Sequence, residues 1–172
     1  MLMHNAVLLE SAMERFHHGS LEEAVLLASL GHLGQTDRGG HPYILHPMAV
    51  MERVKHHNVD TATVAILHDV MEDCHYCTEE RLLQAGFKPV VVEALTYLVR
   101  PREVSILDAA QKLAAQDTRN PAVVMAMRVK IADYLENMRL DRLPVVHAKD
   151  IARTGLYGQA LQIVSKALAR AE

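Results

Sequence analysis

The amino-acid sequence predicts an all-α fold, a single bundle of about eight helices. Apolar residues recur every three or four positions along most of the chain, and no segment shows the strict alternation of a strand. Half of the residues are hydrophobic, only 4% are aromatic, and Ala, Leu, Val and Met dominate, as is typical of helical bundles. The 172 residues suit one domain with a sizeable core, and we expect that domain to span residues 1–172.

Four helices are predicted in the first half of the chain, and residues at their ends support them. Ser20 is a plausible N-cap for the second helix, and Glu22 and Glu23 lie in its first turn. Pro47 lies in the first turn of the third helix, where a backbone N–H is not needed. A polar loop with two glycines, residues 35–43, separates these two helices. The four helices cover about residues 6–16, 20–31 and 46–57 and a segment that starts near residue 60.

The second half of the chain contains the remaining helices, which also begin at capping residues or prolines. Thr78 caps a short helix, and Ser105 with Asp108 forms a capping-box pattern. Pro89 and Pro121 begin two further helices. The predicted segments cover about residues 78–86, 89–98, 105–114 and 120–140 and a terminal helix after residue 144.

Charge and hydropathy restrict the partners of the protein. The formal net charge is −3, so the chain has no overall positive field that would attract a nucleic acid. An anionic substrate must therefore be held by local cations or by a metal. The N-terminal residues lack a basic flank before a long apolar run, so we expect no signal peptide, and we expect no segment long enough to span a membrane. We expect a cytoplasmic protein with no nucleic-acid or membrane partner.

The two cysteines, Cys74 and Cys77, are three positions apart, a spacing that could indicate a redox pair or half of a zinc site. A zinc ribbon would need two further ligands at matching spacing, and the sequence has none. We therefore expect two reduced thiols.

The segment from Ala65 to Asp73 is the first candidate for chemistry, because it follows an apolar run with four ionisable groups. On a continuous helix His68 lies beneath Glu72, and Asp69 lies beneath Asp73, since side chains four positions apart share a face. Acidic groups in apolar surroundings are usually paired or bound to a metal. A divalent cation would satisfy them; a helix cap or a surface ion pair is the alternative interpretation.

Two other places in the chain supply further candidate ligands. Lys130, Asp133 and Asn137 form one stripe of an otherwise apolar helix, where an exposed Lys130–Asp133 ion pair is the alternative. His46 precedes a proline at a helix start, and there a cap or a surface group is the alternative. With the histidine and aspartate of the first segment, these residues provide two imidazoles and two carboxylates. Such mixed ligation suits Mn²⁺ or Fe²⁺ better than structural zinc.

Three motifs taken together resemble the HD metal-dependent phosphohydrolases. They are Gly40-x-Pro42-Tyr43-x-x-His46-Pro47, His68-Asp69-x-x-Glu72-Asp73 and Lys130-x-x-Asp133-x-x-x-Asn137. More narrowly, they look like the hydrolase domain of RelA/SpoT-type alarmone enzymes and their small stand-alone relatives, over about residues 32–157. The resemblance implies an all-α HD-domain bundle, without the synthetase and regulatory domains of the long family members.

The resemblance also implies roles for individual residues. A metal, usually Mn²⁺ with Fe²⁺ as another possibility, would be bound by His46, His68, Asp69 and Asp133. Glu72 and Asp73 would position or deprotonate the attacking water. The substrate, a phosphorylated nucleotide, would be contacted by Asn137, Tyr157 and Arg38, with Arg100 and Arg102 as weaker candidates.

The loop departs from the family pattern at Asp37, because members usually have there the first cation of a basic pair that holds guanine and phosphates. We expect a (p)ppGpp 3′-pyrophosphohydrolase-like activity that uses a metal-activated water. Asp37 favours an alternative, an HD phosphohydrolase for another nucleotide or phosphoester, and it could pair with Arg38 and hold that guanidinium away from the ligand. A non-catalytic nucleotide-binding module is the other alternative; Glu72 and Asp73 argue against it, because a pure binder needs no water-activating carboxylates.

Overall fold

The computed structural model describes residues 2–171, and side chains from residue 7 onward; Met1 and Glu172 of the predicted domain lie outside the described residues. The described part of the chain forms ten α-helices and no strand, which confirms the all-α class. The helices are α1 (Leu2–Met13), α2 (Leu21–Gly31), α3 (Leu45–Val54), α4 (Val59–Leu67), α5 (Val70–Asp73), α6 (Glu79–Gln84), α7 (Pro89–Thr96), α8 (Ile106–Ala114), α9 (Pro121–Asn137) and α10 (Ala148–Leu168).

Helix α4 lies at the centre of the bundle. All of its residues from Thr61 to Leu67 are buried, and it contacts α2, α3, α7 and α9. Helix α9 packs against both α3 and α4, while α10 covers α8 and α9. Because α3, α4 and α9 all contact one another, side chains from three distant parts of the sequence meet at one place.

The capping residues explain where several helices begin. Ser20 and Glu23 form a reciprocal capping box at the start of α2, in agreement with the sequence analysis. Thr78 and Asn120 accept backbone N–H groups at the starts of α6 and α9. Ser105 caps α8 through the N–H of Asp108, so this cap is also confirmed. These hydrogen bonds satisfy donors that the first turn of a helix leaves without an intrahelical partner.

The helix expected to carry the His-Asp pair is interrupted, which differs from the prediction of one continuous helix. Helix α4 ends at Leu67, and α5 begins at Val70, with Asp69 at φ −99° and ψ −8° between them. The His68 Nδ1 atom lies 2.8 Å from the Ala65 carbonyl oxygen, one of the carbonyls that a helix end leaves without a partner. His68 itself keeps helical backbone angles, with φ −58° and ψ −31°, so the interruption lies at Asp69.

The last helix, α10, begins at Ala148, after the loop that contains Pro144. Ala160 and Val164 are buried in the bundle, whereas Ile151 is 59% exposed. Helical spacing predicted the element, but only packing decides which of its apolar residues face the core. In the described part of the chain, no helix combines the length and apolar character that crossing a bilayer requires.

Candidate metal centre

Four side chains from three elements converge beside the middle of the bundle. His46 comes from the first turn of α3, His68 and Asp69 from the α4–α5 junction, and Asp133 from α9. His46 Nε2 lies 3.1 Å from Asp133 Oδ1 and 3.8 Å from Asp69 Oδ2. His68 Nε2 lies 3.1 Å from Asp69 Oδ2 and 3.7 Å from Asp133 Oδ1. The structure thus brings together all four predicted ligands, although 87 positions separate His46 from Asp133.

The surroundings of the His68 ring fit a cation. Its Nδ1–H donates to the Ala65 carbonyl, so the other ring nitrogen of the neutral imidazole carries a lone pair. This Nε2 atom is buried and has no hydrogen-bond partner, and it faces the carboxylates of Asp69 and Asp133. A lone pair beside two carboxylates is repulsive unless a positive charge lies among them. One atom from each of His46, His68 and Asp133 lies within 4.8 Å of the others, as ligands at ~2.0–2.3 Å from one ion require.

The pKa values in the centre indicate carboxylates that stay ionised. Burial opposes ionisation of Asp133, but the Lys130 ammonium and the two imidazoles outweigh it and keep its pKa well below the ordinary value. Burial likewise opposes ionisation of Asp69, and the neighbouring His68 lowers its pKa. Burial lowers the pKa of His68, yet Asp69 and Asp133 raise it to about 10. In the protein without a metal, a proton on His68 supplies the positive charge that the carboxylates need.

Two further side chains hold the carboxylate ligands in place. The Tyr43 hydroxyl donates to Asp69 Oδ2 at 2.6 Å, and Lys130 Nζ lies 3.0 Å from Asp133 Oδ2. The side chain of Lys130 is only 14% exposed, so the alternative of an exposed Lys130–Asp133 ion pair is wrong. Asn137 also donates to Asp133. The sequence analysis had assigned no role to Tyr43; its signal was its position three residues before His46 in the first motif.

The two acidic residues of α5 point to different surroundings. Glu72 lines the same cavity as the candidate ligands and accepts the backbone N–H of Arg100 at 3.2 Å. Asp73 instead accepts a hydrogen bond from Gln35 Nε2 at 3.0 Å, and Gln35 Oε1 in turn lies 2.8 Å from the Nδ1 atom of buried His32. Successive residues of a helix do not share a face, so one of the pair turns toward the metal ligands and the other turns away.

A cavity of about 130 Å³ opens on the candidate ligands. Asn137 and Tyr157 line it, and so does Arg100, whereas Arg38 and Arg102 do not. Its wall also includes Arg153, whose Nε and terminal nitrogen donate to the Tyr157 hydroxyl at 3.0 and 2.8 Å. The sequence analysis missed Arg153. Its signal was the spacing of four residues from Tyr157 on one helix, which places the two side chains together.

The loop between α2 and α3 is closed by two ion pairs to the C-terminal part of the chain. Arg38 donates to buried Asp150 at the start of α10. Asp37 lies 3.4 Å from Arg142 and accepts the backbone N–H groups of Gly39 and His41. The suggested pairing of Asp37 with Arg38 is therefore wrong, because each has a different partner. Only the idea that the Arg38 guanidinium is held by a carboxylate agrees with the structure.

The cysteines lie outside this centre. Both are free, and Cys77 is buried while Cys74 is half-buried, with its thiol donating to the Gly31 carbonyl. Burial raises the pKa of Cys74 to about 11 and that of Cys77 to about 12. Neutral thiols are poor nucleophiles and poor metal ligands, in agreement with the expectation of two reduced thiols.

Comparison with known proteins agrees with this geometry. The HD domain family matches residues 24–157. A GTP pyrophosphokinase of Streptomyces coelicolor is 35% identical over 71% of this chain and 15% of its own length. A guanosine-3′,5′-bis(diphosphate) 3′-pyrophosphohydrolase of Vibrio cholerae is 32% identical over 70% of this chain and 18% of its own length. The chain thus spans less than a fifth of these relatives.

A solved structure shares the fold. It is described as a metazoan ortholog of SpoT that hydrolyzes ppGpp and plays a role in starvation responses. The match has a TM-score of 0.68 and covers 88% of this chain and 92% of the other, at 15% sequence identity. At 15% identity this similarity establishes the helical architecture alone.

Proposed function

Because the chain belongs to the HD-domain family, we propose that it is a metal-dependent phosphohydrolase that removes the 3′-diphosphate of guanosine 3′,5′-bis(diphosphate) and its pentaphosphate form. The observation that carries the proposal is the convergence of His68 Nε2, which is buried without a hydrogen-bond partner, with His46 and the ionised carboxylates of Asp69 and Asp133, beside a cavity that Glu72 lines. Mn²⁺ is the proposed ion, with Fe²⁺ as the alternative, because two imidazoles and two carboxylates match the preferences of both. The names of the Vibrio relative and of the related structure support this choice of substrate. The cytoplasmic location expected from the sequence stays a prediction.

The proposed ligands are His46, His68, Asp69 and Asp133. A divalent cation held there supplies a Lewis acid that lowers the pKa of a bound water and offsets charge on the attacked phosphate. Glu72 is the proposed general base, because its carboxylate faces the cavity and is fixed by the Arg100 N–H.

We assign Asp73 a positioning role. Its carboxylate holds Gln35, Gln35 contacts His32, and the His32 ring lies 4.9 Å from the ring of Tyr43. Tyr43 in turn donates to Asp69. Asp73 therefore acts on the metal centre through a chain of contacts and does not touch the reacting water.

The substrate phosphates are assigned to cations that line the cavity. Arg100 and Arg153 both lie in its wall, and Arg153 also orients the Tyr157 hydroxyl. Asn137 lies in the same wall, next to the Asp133 carboxylate, and is the proposed ribose contact. Arg38 was the first candidate for the phosphates, but its guanidinium pairs with Asp150, so we assign that role to the other two arginines.

A second candidate function is the hydrolysis of a different phosphorylated nucleotide by the same centre. The pairs Asp37–Arg142 and Arg38–Asp150 favour it, because they neutralise the loop in which relatives usually present two cations. Both candidates share the chemistry of the metal centre and differ only in how the rest of the substrate is recognised.

Turnover by the purified protein, loaded with Mn²⁺, tests these assignments on a panel of phosphorylated nucleosides. Release of pyrophosphate from guanosine 3′,5′-bis(diphosphate), lost when the metal is chelated and restored when it is returned, is the expected result. Faster turnover of another nucleotide would select the second candidate. Tight nucleotide binding without turnover of any panel member, under Mn²⁺ or Fe²⁺, would identify a binding module and refute the enzyme.

A further inference from the structure

The cavity at the candidate metal centre is too small for a whole nucleotide. Its volume is about 130 Å³, whereas sites for molecules of that size measure roughly 300–1,000 Å³. The cavity therefore accommodates the reacting phosphates, and the nucleoside must extend into a neighbouring space.

Two other cavities adjoin the metal centre through shared wall residues. The first, which we call the α8 pocket, has about 350 Å³ and shares Arg100, Lys130 and Tyr134 with the central cavity. The second, which we call the loop pocket, has about 230 Å³ and shares His46. The α8 pocket lies between the end of α7, helix α8 and helix α9, and the loop pocket lies beside residues 37–41.

The charges on the two pockets differ. Three cations, Arg100, Lys112 and Lys130, line the α8 pocket; Lys130 is paired with Asp133, and none of the described lining residues is acidic. The loop pocket contains two carboxylates, Asp37 and Glu136. Its own arginines are engaged by those carboxylates: Arg142 with Asp37, and Arg139 with Glu136. A polyanion is therefore attracted to the α8 pocket and meets a neutralised surface in the loop pocket.

The remaining walls of the α8 pocket suit a flat ring. They are formed mainly by apolar side chains and two aromatic rings, among them Leu98, Pro101, Leu113, Tyr97 and Tyr134, and Thr96 and Gln116 are their polar members. The Tyr134 ring is buried and lies 5.6 Å from the Lys130 ammonium, so it forms a rigid part of the wall shared with the central cavity. A purine gains from such surfaces through burial and ring stacking.

We propose that the α8 pocket holds the nucleoside part of the substrate, with its base against the apolar walls and its 5′-phosphates toward Lys112. The proposal rests on the phosphohydrolase activity proposed above and names the part of the protein that selects among nucleotides. It assigns recognition of the base to the end of α7 and to α8, instead of to the loop that carries Asp37 and Arg38.

A matched pair of alanines tests the assignment. Ala109 lines the α8 pocket and Ala49 lines the loop pocket; both are half-buried helix residues. A109F fills the first pocket and A49F fills the second. Binding of guanosine diphosphate and of pyrophosphate to the Mn²⁺-loaded proteins is measured by calorimetry, because the first probe needs the nucleoside site and the second needs only the central cavity.

The expected result is that A109F weakens binding of guanosine diphosphate by about tenfold or more and leaves pyrophosphate binding within about twofold, while A49F changes neither. Weakening by A49F alone would place the base in the loop pocket and overturn the proposal. These binding results do not depend on turnover. An absence of hydrolysis would refute the proposed function. The assignment of the α8 pocket would still be decided by the binding results.

A surface substitution covers the case in which A109F does not fold. Lys112 is exposed at the α8 pocket, and Lys166 is an exposed lysine of α10 that lines none of these three cavities. K112E should raise the dissociation constant for guanosine diphosphate several-fold at low salt, and K166E should not. Equal effects of the two variants would show that only net charge matters and would overturn the proposal.

Discussion

The metal centre and the loop between α2 and α3 contribute to one predicted site, yet they are held in different ways. The centre is formed where three mutually packed helices meet, and its ligands lie on or directly beside those helices. The loop is fixed by ion pairs to Arg142 and Asp150, side chains that lie more than 100 positions away in the chain. The chemistry thus depends on the core of the fold, whereas the position of the loop depends on two ion pairs to the C-terminal part of the chain.

Loss of a ligand should have the largest effect of any change considered. Asp69→Ala is expected to abolish Mn²⁺ binding and turnover and to lower the free energy of unfolding by about 3 kcal/mol, because the buried His68 loses its charge partner and the Tyr43 hydroxyl loses its acceptor. Metal content and chemical denaturation measure these effects.

Asp141→Ala is the control for that experiment, since the Asp141 carboxylate is exposed and pairs with Arg139 at the surface. Such an exposed pair contributes little to stability, so stability, metal content and turnover should stay unchanged. Retention of one tightly bound Mn²⁺ by Asp69→Ala would remove Asp69 from the ligand set.

The second prediction separates the two acidic residues of α5. Glu72→Gln should lower turnover by about 10²–10⁴-fold and keep the metal, because it removes the proposed general base. Asp73→Asn should lower turnover by less than about tenfold, since its carboxylate acts through Gln35 and His32.

Steady-state kinetics with metal analysis distinguish these outcomes. Equal losses in the two variants would show that the different surroundings of Glu72 and Asp73 do not matter for the reaction. Loss of metal in Glu72→Gln would make Glu72 a ligand.

The third prediction concerns pH and belongs to the metal centre alone. In the metal-free protein the pKa of His68 is raised from 6.5 to about 10, mainly by Asp69 and Asp133 against the effect of burial. A raised pKa of a base stabilises the fold below the unfolded value, and this contribution is lost as pH rises through the folded value. The free energy of unfolding of the metal-free protein should therefore fall between about pH 6.5 and 10.

Added Mn²⁺ should change this dependence, because the ion replaces the proton on His68 and binds more tightly as pH rises. Denaturation of the metal-free and Mn²⁺-loaded proteins over this range measures the difference. His68→Gln should remove the alkaline loss of stability in the metal-free protein. A loss that persists in this variant would have to come from another group.

The smallest effect is expected in the loop. Asp37→Asn preserves an oxygen that can accept the Gly39 and His41 N–H groups, and it releases Arg142 from its ion pair. We expect kcat/KM for guanosine 3′,5′-bis(diphosphate) to rise by about threefold, because the Arg142 guanidinium in the wall of the loop pocket loses its neutralising partner. The gain should shrink in high salt, because the Arg142 side chain is 22% exposed and salt screens it in part. A tenfold or larger gain would give the loop a dominant role in substrate choice.

The sequence predicted the parts of the molecule that local patterns determine. Capping residues placed the starts of α2, α6, α8 and α9, and the motifs predicted the four residues that converge. It did not predict the break after Leu67, because the surrounding apolar pattern fits a continuous helix equally well. The separate surroundings of Glu72 and Asp73 follow from their consecutive positions in α5, which point in different directions.

The partners of the loop could not be predicted for a different reason. No periodicity relates Arg38 to Asp150 or Asp37 to Arg142, since these contacts depend on how α10 and the preceding loop return across the bundle. The sequence showed that Asp37 departs from the family pattern. The partner suggested from the sequence, Arg38, was wrong, because Asp37 pairs with Arg142.

The interruption between α4 and α5 has a consequence for how the proposed base is connected to the proposed ligands. His68 Nε2 and Asp69 Oδ2 lie 3.1 Å apart at this interruption. The amide of Asp73 donates to the carbonyl of Asp69, so the single turn of α5 starts from a proposed ligand. The Glu72 carboxylate lies on the same turn and is held by the Arg100 N–H. A displacement of this turn would therefore move a metal ligand and the general base together, so a substitution in α5 can change metal affinity and turnover at once.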